Sequence, residues 1–454
     1  MAEAAAKKNV DFTEGNIVRK LIVFSVPLIL GELFQCLYHS ADSVVTGNFV
    51  STAAQAAVNV STPITDFLVG FFSGMSLGAT VLVSRAFGGR NEKKQQTAMR
   101  VAFSFSLVLG AVLAVIGVLS APLFLKIVDV NAEVYEPAMA YLRIFMVGIM
   151  FTVIYNVGAG ILRAVGDSRS PFIMLVIACT SNILLDLLFT AVLEWGVTGV
   201  ALATVLAQGL SVVMVYYRIV KTEKTFRIDI RELFSNKKMI RQIAGIGIPA
   251  GLQSSITTLS NLFIWRRING FDSTVITAGT GIATRLDKFV SLPVKSVGQA
   301  LTVFVGQNCG AGKHDRNRRA LWRVLWLSWA CAAILGGAVY ILARPCVGLF
   351  NPEDAVIDIG VAMMHAIIPF YPIMACREAL FGMLRGYGDT RIPMYISLGG
   401  MVVLRQIFLA VTMHYHHVIE NIYASYPFAW TVTSLMILIY YLAKKKKIGL
   451  VKKA

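Results

Sequence analysis

Uninterrupted apolar runs of 20 or more residues recur from one end of this chain to the other, separated by short polar breaks. A run of about 20 apolar residues is the length an α-helix needs to cross the ~30 Å hydrocarbon core of a bilayer. A water-soluble fold of this size has no interior able to hide so many. Only 15% of the 454 residues are charged, against about 25% in soluble domains. The chain is therefore read as a polytopic all-α membrane protein. Disordered, collagen-like and disulfide-scaffold classes are excluded.

The formal net charge of +17 would point to nucleic acid in a soluble protein. Its placement gives another reason. Thirty-two of the 42 Lys and Arg fall in seven short segments, from Lys7 to Lys20, Arg85 to Arg100, Arg163 to Arg169, Arg218 to Arg241, Lys313 to Arg323, Arg385 to Arg391, and in the tail from Lys444. The connections at 45–52, 194–197 and 414–423 contain none. This positive-inside pattern places both termini in the cytoplasm of a multi-pass protein of the cytoplasmic (inner) membrane, and no nucleic-acid partner is expected. The N-terminus carries no cleavable signal pattern, so the first span is expected to serve as an uncleaved insertion signal. Cys36, Cys179, Cys309, Cys331, Cys346 and Cys376 lie in or beside apolar segments without C-x-x-C spacing and read as small core residues.

Twelve spans are predicted, at 17–41, 50–84, 98–125, 138–162, 171–193 and 197–217, then at 240–264, 274–306, 320–343, 357–384, 392–413 and 423–443. The predicted organisation is a cytoplasmic segment 1–16, an N-terminal six-helix bundle 17–217, a polar linker 218–239, a C-terminal bundle 240–443 and a basic tail 444–454. The bundles are copies. LRAVGDSRSP (Leu162 to Pro171) and LRGYGDTRIP (Leu384 to Pro393) share six of ten residues at an offset of 222. The same offset carries Pro27 onto Pro249, Gly88 onto Gly310, and Thr80-Val81 onto Thr302-Val303. Six spans per copy is even, so the copies are parallel repeats about an axis along the membrane normal, a transporter architecture. In the shared motif, Gly166 and Gly388 can end one helix and Pro171 and Pro393 help begin the next, with Arg163, Asp167 and Arg169 able to pair across the turn.

An ionisable side chain within a span costs at least ~2.5 kcal/mol and is a functional candidate by default. Asn182 and Asp186 are four residues apart and share a helix face, as do Thr204 and Gln208. A cluster of Asp42, Asn182, Asp186 and Thr204 would make a polar pocket in the first bundle, with Asn156 in span 4 and Tyr38 one turn before Asp42. Two carboxylates in a partly dry site resist being charged together. Such a pair can hold a proton near neutral pH, or share a sodium ion when both are ionised. The alternative is that each group is merely satisfied by its neighbours. At the offset of 222, Asp42 falls on Ile264, Asn182 on Leu404 and Asp186 on Phe408, so ion chemistry is expected in the first copy. Pro27 frees the carbonyl of Val23 and permits either a passive bend or a hinge.

Glu32 and Asp66 are possible cleft charges. The second copy has Arg285, Asp287, Lys288 and Lys295 in span 8, Arg377 and Glu378 in span 10, and Arg405 in span 11. Arg285/Asp287 and Arg377/Glu378 do not face each other on a helix, so partners on other helices are expected, in structural pairs or in contact with substrate. GIGIPA at Gly245 and GQNCGAGK at Gly306 fail as nucleotide-binding motifs in context or spacing. His414, His416 and His417 read as interfacial polarity. With no hydrolase triad, ATP site or dedicated metal site, neither an enzyme nor a cofactor is expected.

Twelve spans, the six-plus-six duplication, Asp42 in LYHSADSVVTGNF, NILLDLLF in span 5 and the paired turn motifs together resemble the multidrug and toxic compound extrusion (MATE) family, from about Ile17 to Lys444. That resemblance implies two six-helix bundles in a V shape, exporting cationic amphipathic compounds in exchange for H⁺ or Na⁺. It implies a coupling role for Asp42, Asn182, Asp186 and Thr204, with Na⁺ possible at Asp42 and Asp186. Tyr38 and Asn156 would line their pocket, and Pro27 would be the bend of the first helix. Thr257 and Met374 stand where another branch has acids, so the chain is similar to the branch that couples through its N-terminal bundle. The expected partners are a small cationic or amphipathic substrate and membrane lipid, with the protein acting as a monomer. A flippase for lipid-linked saccharides is the alternative within the same superfamily.

Overall fold

The computed structural model describes residues 9–444 apart from 51, 129, 224, 225 and 230; side chains are not described for 37–49, 52, 53, 127, 128, 234 and 259. Among the described residues the regular structure is helical, with no strand. The long elements are α1 (Ile17–Phe49), α2 (Thr52–Gly88), α3 (Glu92–Val128), α4 (Ala132–Ala164), α5 (Arg169–Val192), α6 (Gly196–Thr222), α7 (Lys237–Asn269), α8 (Thr274–Gly310), α9 (His314–Ile341), α10 (Asp354–Gly386), α11 (Arg391–Tyr415) and α12 (Glu420–Lys444). Ten of them, all but α1 and α7, are long and apolar enough over their described residues to cross a bilayer. The two remaining helices, 33 residues each, bring the count to that of the predicted spans. Most predicted spans fall inside longer helices. Hydropathy marks the stretch in hydrocarbon, whereas helices such as α3 begin in a polar turn, Glu92-Lys93-Lys94-Gln95.

By contacts the chain forms two compact units, and they are not simply the two sequence copies. The first comprises the stretch ending at Asp11 together with Val26–Ser255; the second comprises Phe12–Ser25 and the chain from Ile256 onward. The leading part of α1 thus belongs with the second unit, and the leading part of α7 with the first. In α1 the break falls between Ser25 and Val26, beside Pro27.

In the first unit α4 is central, packed against α2, α3 and α6. Its core joins Phe103, Ile154, Ile161, Val215 and Ile219, with a second cluster at Ile64, Phe72, Leu142 and Met146. A Cβ on Gly160 would lie 2.6 Å from Thr80 Oγ1. In the second unit the equivalent Gly382 of α10 meets α8, where a Cβ would lie 2.4 Å from the Gly298 carbonyl. Gly298 stands 222 residues after Ser76, which is one turn before Thr80. Both copies therefore bring the same two helices together at the same level through a small residue.

The two polar stretches outside the copies are packed. Phe12 is fully buried between the rings of Phe24 and Phe304, with centroids at 5.1 and 5.2 Å. Its N–H donates to Gln307 Oε1 at 2.9 Å, and Asn308, Lys313 and Arg316 donate to the carbonyls of residues 12–15. In the first unit, Phe226 of the linker is 3% exposed and lies edge-on to Phe103 at 5.7 Å. Arg100 pairs with Glu232 at 3.0 Å, and Gln95 donates to Glu223 at 2.8 Å.

Candidate functional site

On α5 of the first unit, Asn182 and Asp186 are both 0% exposed. The helix buries Pro171, Met174, Ala178, Cys179, Asn182 and Asp186, a stripe at three- and four-residue spacing, so the i, i+4 pair sits on the face turned into the unit. Just past Asp186 the helix widens into a π-turn, Leu188–Val192. There Thr190 Oγ1 donates to the Asp186 carbonyl at 2.6 Å. Such turns add one residue per helical turn and recur at functional sites. α6 packs against α5 and brings Thr204, 5% exposed, whose hydroxyl donates to the Val200 carbonyl at 3.1 Å. Asn156 of α4 is half-buried and donates to the Thr152 carbonyl at 2.8 Å; Gln208 is half-buried on α6. Tyr38 and Asp42 fall on α1 among the residues whose side chains lie outside the described set. The structure thus puts Asn182, Asp186 and Thr204 inside the first unit, at an insertion cost of about 2.5–3.5 kcal/mol for the aspartate alone.

The other predicted charges are dispersed. Asp66 is exposed on α2. Glu32 is half-buried on α1 and is within electrostatic reach of Arg163 at the end of α4. Asp167 does not draw its ionic partner from its own turn. Its Oδ2 accepts from Arg218 of α6, from Nη2 at 2.8 Å and Nε at 3.1 Å, while its carboxylate caps α5 through Ser170 N–H and Oγ. The turn itself behaves as the sequence suggests. Gly166 and Gly388 have φ of +88° and +68°, and the N–H groups of Asp167 and Asp389 reach back to the Leu162 and Leu384 carbonyls at 2.9 Å, closing each helix in the Schellman pattern.

The second unit holds a larger ionic group than its sequence reveals. Arg285 and Lys288 are exposed on α8, but half-buried Asp287 accepts from the fully buried Tyr371 hydroxyl at 2.8 Å. Arg377 is 7% exposed and pairs with its own neighbour Glu378 at 2.8 Å, against the expectation of partners on other helices. Adjacent residues point to different sides of a helix, but both side chains are long and wrap round to meet where water is excluded. Arg377 Nη1 also reaches Met401 Sδ at 3.1 Å on α11. Arg405 of α11 is 1% exposed, lies over the Tyr426 ring at 4.0 Å and donates through Nε to Ser425 Oγ at 3.2 Å.

The burial of Arg405 has a geometric cause that the offset of 222 conceals. α11 buries Ser397, whose counterpart Leu175 is only half-buried, and six residues that match the buried stripe of α5: Pro393, Ile396, Gly400, Met401, Arg405 and Leu409. Of these six, Pro393, Ile396, Gly400 and Met401 stand 222 residues after Pro171, Met174, Ala178 and Cys179. The last two stand 223 after Asn182 and Asp186. A π-turn at Leu398–Leu404 inserts the extra residue. The position matching Asn182 is therefore Arg405 rather than Leu404, and the position matching Asp186 is Leu409 rather than Phe408. The same buried helix face thus carries an acid in one copy and a base in the other.

A doubled six-helix scaffold with ionisable groups buried inside its membrane helices defines the class of polytopic membrane transporters. The MatE family profile matches residues 27–188 and 249–412, beginning at Pro27 and Pro249, and the chain belongs to that family, the MATE transporters. Among curated relatives it is similar to the probable multidrug resistance proteins YoeA and YpnP of Bacillus subtilis (strain 168). Identity to YoeA is 27%, over 95% of this chain and 96% of YoeA; identity to YpnP is 28%, over 89% of this chain and 90% of YpnP. Its fold matches an outward-facing multidrug resistance MATE transporter of the MOP superfamily, with TM-score 0.89 and 20% identity over 98% of this chain and 99% of that one. It also matches a MATE protein in the bent conformation, with TM-score 0.89 and 20% identity over 97% and 98%.

Proposed function

We propose that the protein exports cationic amphipathic compounds from the cell by antiport with H⁺ or Na⁺, as a monomer in the cytoplasmic membrane with both termini inside. The observation that carries this reading is the fully buried Asp186, one turn from a fully buried Asn182, in one copy only of a duplicated transporter scaffold. The multidrug resistance names of YoeA and YpnP support the substrate class. The coupling ion loads from outside onto Asp42 and Asp186, with Asn182 and Thr204 supplying neutral oxygens. Neutralising the acids removes their preference for a cationic substrate, so ion and drug compete for one pocket. Binding the ion also alters the packing of α1, where Pro27 has no N–H to offer the Val23 carbonyl and so permits a bend. A membrane potential adds ~2.3 kcal/mol per charge per 100 mV, enough for useful accumulation with one ion.

The test is uptake of a labelled cationic drug into inverted vesicles under separately imposed proton and sodium gradients. Uptake is expected to follow one of the two. Asp42→Asn and Asp186→Asn should each abolish that dependence at unchanged expression. Uptake indifferent to both gradients would overturn the antiport reading.

A further inference from the structure

Among the described residues, two carboxylates of the second unit, Asp287 and Glu378, lie within electrostatic reach of the bases Lys295, Arg377, Arg385 and Arg405. Asp287 feels Lys295, Arg377 and Arg405, and Glu378 feels Arg377, Arg385 and Lys295. The group carries two positive charges in excess. Glu378 is bonded to Arg377 and Asp287 to Tyr371. Arg405 is bonded to neutral groups, the Ser425 hydroxyl and Tyr426, whose ring it also covers. Its Nη2, the Nε of Arg377 and the Nε2 of Gln406 are buried donors with no acceptor. A guanidinium sealed from water with no carboxylate bonded to it is among the costliest groups a protein can hold, and native structures compensate such groups. The groups in direct contact with Arg405 are neutral and Asp287 acts on it only through space, so an anion is the chemistry that would complete the donor set.

The geometry points to a site for one monovalent anionic group at Arg405, in the second unit, at the position that Asn182 occupies in the first. A halide from solution and the carboxylate of a zwitterionic substrate share this chemistry. The shape of the donor set suits both, since a guanidinium edge accepts either a sphere or a planar carboxylate. The π-turn Leu398–Leu404 builds the site. It rotates Arg405 onto the buried face, beside Met401, the residue that Arg377 also reaches. The inference does not depend on ion-coupled export, because it is tested by binding without transport.

The full-length protein in lipid nanodiscs is titrated with ³⁶Cl-chloride at constant ionic strength, with gluconate as the replacing anion. Saturable binding of about one chloride per chain is expected. R405Q should abolish it, and R405K, which keeps the charge but loses the fork, should weaken it at least tenfold. A zwitterionic dye and its methyl ester then distinguish the sources. Competition by the acid alone assigns the site to the substrate carboxylate, and competition by neither assigns it to the free halide. The proposal is overturned if wild-type protein shows no saturable chloride binding and binds acid and ester dyes alike. It is equally overturned if R405Q, eluting and melting as wild type, retains the chloride site. The wild-type titration decides the matter even if R405Q does not fold.

Discussion

Asp167 and Asp389 stand at the same place in two copies of one turn, yet different chemistry holds them. Arg218 grips Asp167, while Asp389 accepts from Tyr440 at 2.6 Å and from Lys444. Tyr440 is Arg218 displaced by 222 residues, so one helix position serves both turns with an ion pair in the first and a hydroxyl backed by a lysine in the second. Arg218→Met should cost about 1.5–3 kcal/mol, the usual worth of a hydrogen bond to a charged group. Tyr440→Phe should cost only about 0.5–1.5 kcal/mol because Lys444 remains. Melting of the two variants in detergent checks the ranking, and an equal loss would contradict it. The sequence offered Asp167 two local choices, Arg163 and Arg169, and neither is the partner, since Arg218 is 51 residues away. The repeat offset relates Arg218 to Tyr440, but only the structure shows that Tyr440 bonds Asp389, so no signal in the sequence pointed to Arg218. Asn182 and Asp186 were legible because i, i+4 spacing survives in any regular helix. Arg405 was not, because a π-turn leaves no mark in residue spacing and still moves everything beyond it to a new face.

At the scale of elements, the segments that look like tethers behave as structure. The linker carries Phe226 into the core of the first unit and closes over α3 through Glu223, Asp229 and Glu232. Polar composition hid this. One buried aromatic in a stretch full of Lys and Asp lowers no average, but it fixes where the stretch lies. Glu223 gives the docking a pH signature. Burial raises its pKa above the ordinary 4.5, and Glu92 nearby adds to the rise. The folded state then holds this proton more tightly than the unfolded chain does. Its contribution is greatest in acid and fades as pH climbs from about 4.5 through the elevated folded value. Glu223→Gln, which stays neutral, should flatten that part of the stability–pH curve in chemical denaturation. A wild-type curve rising over the same interval, with the variant unchanged, would refute the assignment.

For the whole molecule, the two compact units trade the leading parts of their first helices. Ile243 of α7 is counted in the core of the first unit, and Ser255 donates to the Phe67 carbonyl of α2 at 2.8 Å. A fragment ending at residue 222 lacks that helix and leaves α2 uncovered, whereas one ending at 255 retains it. The longer fragment should accumulate in membranes to a higher level and resist protease longer; equal behaviour would show that the trade contributes nothing to stability. The duplication was plain from the turn motifs and the recurring prolines. The trade was not, because hydropathy divides a chain by polarity, and the exchange occurs inside two continuous helices.

That trade also bears on descent. Had a gene half this long once encoded such a bundle, its product would have owned a helix end that belonged in another molecule. It would have existed only in pairs, each subunit lending the other its beginning. Fusion of two such genes would make the loan permanent and free the two halves to diverge, one towards acid and the other towards base.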